Sequence, residues 1–183
     1  CGLYENWENK MEILENRDEW AAAYQAGWLA HYSETGETKW DLYKLPSNKT
    51  APAGPAIDLS QSRLVFISSA GSYLPASQEP YDAENDLGDY TIRRYAVNTP
   101  PDQIGFTHTH YDHAAVLADP QVLLPLGHLA DLVNEGIVGE LAPDVISFMG
   151  YQPDMTRVID ETIPAIVAAA KEMHAQAALL VPA

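Results

Sequence analysis

Cysteine is almost missing from this chain: Cys1 is its one thiol in 183 residues. No intramolecular disulfide can form, which fits a reducing compartment. Cys1 precedes a plausible initiator, Met11, and reads as incidental, with the lipid-bearing first residue of a lipoprotein as the alternative. Basic side chains are also scarce, 10 Lys and Arg against 26 Asp and Glu, for a net charge of −16. Such a field repels phosphate backbones, so nucleic acid is excluded as a partner. The acids are densest in residues 5–19 and 79–89, and read as a solvated surface, with recruitment of a basic partner as the alternative. Nor does any apolar run approach the roughly 18 to 20 residues a membrane-spanning helix needs. The N-terminus lacks the basic-then-apolar order of a signal peptide. The expectation is a soluble, cytoplasmic protein with no membrane partner.

What is present is a core: 46% of the residues are hydrophobic, enough for one domain with a short extra arm. Residues 11–32 carry Trp20, Tyr24 and Trp28 at helical spacing, flanked by Ala21 and Leu29, which predicts an amphipathic helix. Its aromatic stripe should pack on this chain or on a partner, a homo-oligomer included. Residues 33–62 read as a long connection, pinned by Trp40-Asp-Leu-Tyr43. Residues 1–62 are therefore expected to form a helical arm and residues 63–183 the main domain.

Leu64-Val-Phe-Ile67, ending in Ser68-Ser-Ala-Gly71, is the pattern of a strand buried on both faces, followed by a small-residue turn. Tyr90–Val97 and Gln103–Thr107 predict two more strands, Val145–Met149 a fourth and Ala177–Val181 a fifth. Between them, Leu126–Glu135 has helical spacing with Gly136 as its stop. Asp154 can cap a helix to about residue 175, with Pro164 predicting a kink or two shorter helices. Strands alternating with helices predict an α/β fold: three layers, a mostly parallel sheet with helices on both faces, and the N-terminal helical arm. Ligands of such sheets bind beyond the carboxyl ends of the strands. Three candidate segments fall at those ends: Ser68–Gly71, His108–His113 and Gly150–Asp154.

The richest of these is Thr107-His-Thr-His-Tyr-Asp-His113. Imidazoles and a carboxylate this close are the ingredients of proton transfer or of a divalent metal site; alternatively, they cap the next helix and bond to one another. His108, His110 and Asp112 are the candidate catalytic residues. With His113 they are also candidate ligands of a transition metal, zinc or iron. Ser69, Gly71, Arg93, Tyr111 and Gly150 are candidate substrate-binding residues. One of the adjacent Arg93 and Arg94 could clamp a substrate carboxylate, or else pair with a nearby acid. His128 reads as a surface or capping histidine.

His108, His110, Asp112 and His113 satisfy the H-x-H-x-D-H motif of the metallo-β-lactamase superfamily, so a metal-dependent hydrolase is one reading. The β-rich fold and downstream ligands of that superfamily are not in evidence here. A resemblance covering more of the chain is to the selenoprotein B family of glycine, sarcosine, betaine and D-proline reductases. It is carried, in order, by Ile67-Ser-Ser-Ala-Gly71, Gly88-Asp-Tyr-Thr-Ile-Arg93, His108-Thr-His-Tyr-Asp112, Leu132-Val-Asn-Glu-Gly-Ile-Val-Gly139 within Pro125–Pro143, and Ser147-Phe-Met-Gly150. The resemblance implies reductive cleavage of a carbon–nitrogen bond in a small amino acid or amine, with partner subunits. It also implies a redox selenocysteine or cysteine beyond a late strand resembling Ala178-Leu-Leu-Val-Pro182. A chalcogen nucleophile is needed for the covalent intermediate, and Cys1 occupies no matching position. The redox centre is thus expected outside this sequence; a non-catalytic small-molecule-binding or assembly subunit is the remaining alternative.

Overall fold

The computed structural model describes residues 14–50, 56–108 and 111–183. They divide into two compact units, Cys1–Gly54 and Pro55–Ala183. Among the described residues no helix is long and apolar enough to cross a membrane.

In the first unit, α1 (Arg17–Tyr24) runs through a π-helical turn, Gln25–Leu29, into α2 (Ala30–Thr35). The expected helix start near residue 11 lies outside the described residues, and the helix continues three residues past the expected end, Tyr32. The aromatic stripe packs within the unit. Trp20 stacks on Tyr24, Tyr24 on Trp28 and Trp28 on Tyr32, while Tyr43 meets Tyr24 and Trp28 edge-on. Tyr24 and Trp28 are fully buried. Offset and edge-on aromatic pairs add specificity to the area they bury, and the Trp20 indole N–H donates to Lys44 O at 2.7 Å. The Trp40–Tyr43 segment is therefore pinned to the first helix. The Glu15 carboxylate closes the unit by accepting from the Lys49 and Thr50 amides and the Thr50 hydroxyl.

The second unit is built around β1 (Arg63–Ser68), the most deeply buried strand. It pairs in parallel with β7 (Ala177–Val181) along one edge. Along the other it pairs with β5 (Glu140–Leu141) at its start and with β6 (Asp144–Phe148) at its end. Pro143 interrupts that second edge. Having no N–H, it cannot continue a ladder, and the register advances by two residues between the two pairings. The outer strand β3 (Ile92–Ala96) runs antiparallel to β6. Among the described strands β7 has β1 as its one neighbour, and Leu180 on it is 63% exposed.

Alternate residues of β1 point to opposite faces. Leu64 and Phe66 join Leu129, Leu132 and Val133 of α4 (Leu126–Asn134) on one side. Val65 and Ile67 join Ile166, Ala169, Ala170 and Met173 at the far end of the chain's last helix on the other. Helices cover both faces of a mostly parallel sheet, as expected of an α/β fold. α4 ends as predicted at Gly136 (φ 71°). The Ile137 and Gly136 amides return to the carbonyls of Leu132 and Val133, the Schellman arrangement.

Asp154 accepts from the Thr156 amide and hydroxyl and so caps α5 (Met155–Arg157). Beyond this cap the helical run is interrupted just before Pro164, where the sequence predicts a kink or two shorter helices. Pro164 has no N–H to donate to a carbonyl one turn earlier, and a π-helical turn, Val158–Thr162, directly precedes the helix that carries it, α6 (Ile163–Glu172).

The third expected strand is largely lost. Of Gln103–Thr107, Gly105–Phe106 forms β4, which pairs antiparallel with β2 (Ser72–Tyr73) outside the main sheet. Residues 101–103 make a 3-10 turn instead. The short helix α3 (Ala114–Ala118) and the two-residue strands β2 and β5 were not expected.

The loop from Pro75 to Asp89 is held by Asp89. Burial raises the pKa of this carboxyl, but it is outweighed by hydrogen bonds from the Thr91 hydroxyl, the Asp82 and Thr91 amides, and the Arg93 charge, so the pKa lies below its ordinary value. A depressed pKa contributes stability that is present above the unfolded value of about 3.9 and is lost as pH falls through the folded one. Thermal melts of Asp89→Asn should therefore fall below wild type at about pH 7 and converge with it towards pH 3. An unchanged gap across that range would show that the carboxylate charge is irrelevant to the loop.

Candidate functional site at the carboxyl edge of the sheet

Because β1, β6 and β7 are parallel, the residues that follow them emerge at one rim. There they bind each other. The Ser69 amide donates to Val181 O (3.3 Å), the Gly150 amide to Ser69 O (3.0 Å), and the Gly71 amide to Phe148 O (2.9 Å). The Ala183 amide donates to Ser69 Oγ at 2.9 Å. Three strand ends are thus tied through the single turn Ser69–Gly71.

The histidine segment joins this turn from the side. Contrary to the expectation, it does not follow the carboxyl end of a parallel strand, because its strand β4 pairs antiparallel with β2 outside the main sheet. It reaches the same place because the Thr107 amide donates to Gly71 O at 2.9 Å. Gly71 has φ 65°, and a Cβ there would lie 2.5 Å from Thr107 O. Only glycine allows both the turn and this approach. A Cβ on Gly150 would lie 3.2 Å from His108 Nε2 and 3.3 Å from the Ser69 Cβ. His108, 5% exposed, therefore rests its imidazole edge where Gly150 and Ser69 meet. Gly150 itself is exposed and Ser69 half-buried, so this junction opens to solvent.

Tyr111 sits between two imidazoles, its ring 5.0 Å from that of His108 and 4.6 Å from that of His113, centroid to centroid. Its hydroxyl donates to Ala70 O at 3.0 Å. Burial pushes the phenol pKa up to about 12, so it keeps its proton throughout the physiological range. His113 Nε2 lies 2.6 Å from His108 O. A carbonyl only accepts, so Nε2 carries hydrogen and His113 braces the loop. Asp112, exposed, accepts from the Ala114 amide at the head of α3.

The structure thus brings Ser69, Gly71, His108, Tyr111 and Gly150 together. His110 lies outside the described residues. Arg93 is engaged elsewhere: Nε donates to Glu79 O, Nη1 to Thr91 Oγ1 and Ile92 O, and Nη2 to Pro80 O, with the guanidinium 4.4 Å above the Tyr81 ring. It secures the acidic loop. Arg94 pairs instead with Asp144 and Glu172. His128 is exposed on α4. Among the described residues no group of three or more His, Cys, Asp or Glu side chains is arranged to hold a metal ion. His113 Nε2 and one Asp112 oxygen are engaged with backbone groups.

The sequence reading missed the Ala70 carbonyl that receives Tyr111, and the polar side chains beneath the turn: Ser72, Ser147, Tyr81 and Tyr95. Ser147 is the available signal, a hydroxyl inside the apolar run Val145–Met149.

A sequence profile of glycine/sarcosine/betaine reductase selenoprotein B matches residues 35–181. The chain belongs to this family. Among curated relatives of this reductase family, the chain is 28% identical over 123 residues to sarcosine reductase complex component B subunit beta of Peptoclostridium acidaminophilum. That match covers 63% of this chain and 27% of the relative. It is likewise 28% identical over 123 residues to D-proline reductase subunit gamma of Acetoanaerobium sticklandii, covering 67% of this chain and 49% of the relative. The chain therefore spans half or less of the length of these relatives. No solved structure matches it significantly.

Proposed function

We propose that this chain is part of a reductase-complex subunit, an oxidoreductase component acting on a small amino acid or amine. Its carboxyl-edge junction would hold the substrate, and the redox residue would come from outside the visible sequence. Family membership supports the reductase class. The observation that carries the site is the bond from the Ala183 amide to Ser69 Oγ. It draws the chain leaving β7 onto the turn that also touches Gly150, against which His108 rests. A cysteine or selenocysteine a few residues further on would arrive beside the imidazole.

In this reading the nucleophilic chalcogen attacks the carbon bearing nitrogen, and the amine leaves with the bonding electron pair. The departing nitrogen must be protonated. His108 would hold that proton, with His110 from the same loop as the second imidazole. Tyr111, kept in its protonated form by burial, would orient the substrate beside His108. Ser69 and the backbone at Gly71 and Gly150 would supply polar contacts at close approach, with Asp112 and His113 bracing the loop. As in the relatives, whose names describe subunits of reductases, protein partners would complete the enzyme.

The test is to read the gene beyond codon 183 and to reconstitute the full-length subunit with its reductase partners. A Cys codon or an in-frame UGA shortly downstream, with reductant-dependent amine release from sarcosine or ring opening of D-proline, is the expected result. A true stop at that point, with no turnover by the complex, would leave a binding or assembly subunit in place of a reductase.

A further inference from the structure

Beneath the rim lies a knot of buried hydroxyls that the proposed chemistry does not use. Ser72 follows Gly71 directly. Its amide donates to a side chain, Ser147 Oγ of β6, at 2.9 Å. Its hydroxyl lies 2.7 Å from Tyr95 OH of β3 and donates to Ser147 Oγ at 2.9 Å. Tyr81 donates its phenol to the backbone oxygen of the same Ser147 at 2.8 Å. None of the four residues is more than 3% exposed. Burial pushes the Tyr95 phenol up to about 12 and raises Tyr81 as well, so both remain neutral donors.

Stability alone does not call for this arrangement. Apolar groups of the same shape in place of bonded hydroxyls are often neutral or better. What hydroxyls add is direction: each link fixes a distance between β2, β3 and β6. The strand they fix begins one residue after Gly71. The Gly71 carbonyl holds the Thr107 amide, and the next residue is His108. A change in the height of Ser72 over β6 would therefore pass through one glycine and one hydrogen bond to the imidazole.

We infer that the Tyr95–Ser72–Ser147 hydroxyl chain positions the His108 imidazole against Gly150 and Ser69. These are positioning residues, and their relevance to turnover rests on the function proposed above. Two variants test the idea, Tyr95→Phe and Ser147→Ala, with Ser147→Cys as the conservative rescue, since a thiol is a weaker acceptor of the Ser72 amide. The first readout is ring resonances of the unliganded, folded protein in two-dimensional NMR, well below each variant's melting temperature. The His108 and Tyr111 signals should shift in both variants while those of His128 and of His174, an exposed residue just after α6, stay in place, and Ser147→Cys should lie between Ser147→Ala and wild type. The second readout is turnover of sarcosine or D-proline by the assembled complex. There kcat should fall at least about tenfold with KM little changed, as expected for a group misplaced by a fraction of an ångström.

Unmoved His108 and Tyr111 signals in the folded variants would overturn the inference, as would equal shifts at His128 and His174, which report a general loosening. Should Ser147→Ala fail to fold, Tyr95→Phe, which removes a single oxygen, decides. If the wild-type complex turns over neither substrate, the functional proposal fails, and the resonance shifts still settle the positioning claim by themselves.

Discussion

Gly71→Ala should lower the melting temperature of the α/β unit by roughly 10 °C, on the order of 3 kcal/mol of lost stability. Two penalties combine at this position. An L side chain at φ 65° is strained, which by itself amounts to about 1–2 kcal/mol. The added methyl would also stand 2.5 Å from Thr107 O and 3.3 Å from His108 Cβ. That oxygen belongs to a backbone held by its own hydrogen bond to Gly71 and cannot swing aside as a flexible side chain would. Gly136→Ala is the control within the same unit: φ is 71°, and nothing lies within 4 Å of the new methyl. It should lose the strain penalty alone, about 1–2 kcal/mol. Equal melting temperatures for the two variants would mean that the contact with Thr107 is harmless, and that the turn does not press the histidine segment into place.

The second large effect is chemical. On the function proposed above, His108→Gln should lower turnover by the reconstituted complex by about 10²- to 10⁴-fold, the usual range for removing a proton-transfer group. The amide keeps much of the imidazole's bulk beside Gly150 but cannot take up and release a proton near neutrality. Arg93→Lys provides the contrast. A lysine offers a single ammonium in place of the fork that reaches Glu79 O, Thr91 Oγ1, Ile92 O and Pro80 O. The melting temperature should fall while KM holds. A rise in KM would restore Arg93 as a clamp for the substrate carboxylate, and full activity in His108→Gln would remove the imidazole from the chemistry altogether.

The parts of the fold that could be read from the sequence are those whose physics is local. Leu64–Ile67 announces itself as a strand because burial on both faces requires a continuous apolar run, and the short apolar run Ala177–Val181 does so too, although at the sheet's edge it is only half-buried. Gly136 announces a helix end because the left-handed cap favours glycine, and Asp154 a helix start because its carboxylate can accept the first free amides. Gln103–Thr107 reads as a strand, but five residues of local pattern cannot tell a sheet strand from a two-residue bridge preceded by a 3-10 turn. The two-residue strands β2 and β5 carry no periodicity at all. Pro164 announces a disturbance because it lacks an N–H, but that this takes the form of a π-helical turn over Val158–Thr162 is not written in the local sequence.

The site was legible as a set of segments and not as a set of contacts. Strand-end logic gathered Ser69, Gly71, Gly150 and the histidines, and the fold joins the described ones. Which arginine would be spent on which acid depended on neighbours far along the chain, Glu79 and Pro80 for Arg93 and Asp144 and Glu172 for Arg94. The hydroxyls of Ser72, Ser147 and Tyr95 were hidden for the same reason, since each has its meaning only beside the other two.

The bare rim of β7 carries a practical consequence. Ala-Ala-Leu-Leu-Val holds no charge, and a strand that among the described residues is paired along one edge and carries an outward leucine is a template on which like strands can stack into fibrils. Pro182 blunts that template at one end only. In any preparation where the flank stays uncovered, concentration and warming will govern how long the protein remains dispersed, at temperatures where its fold is still intact.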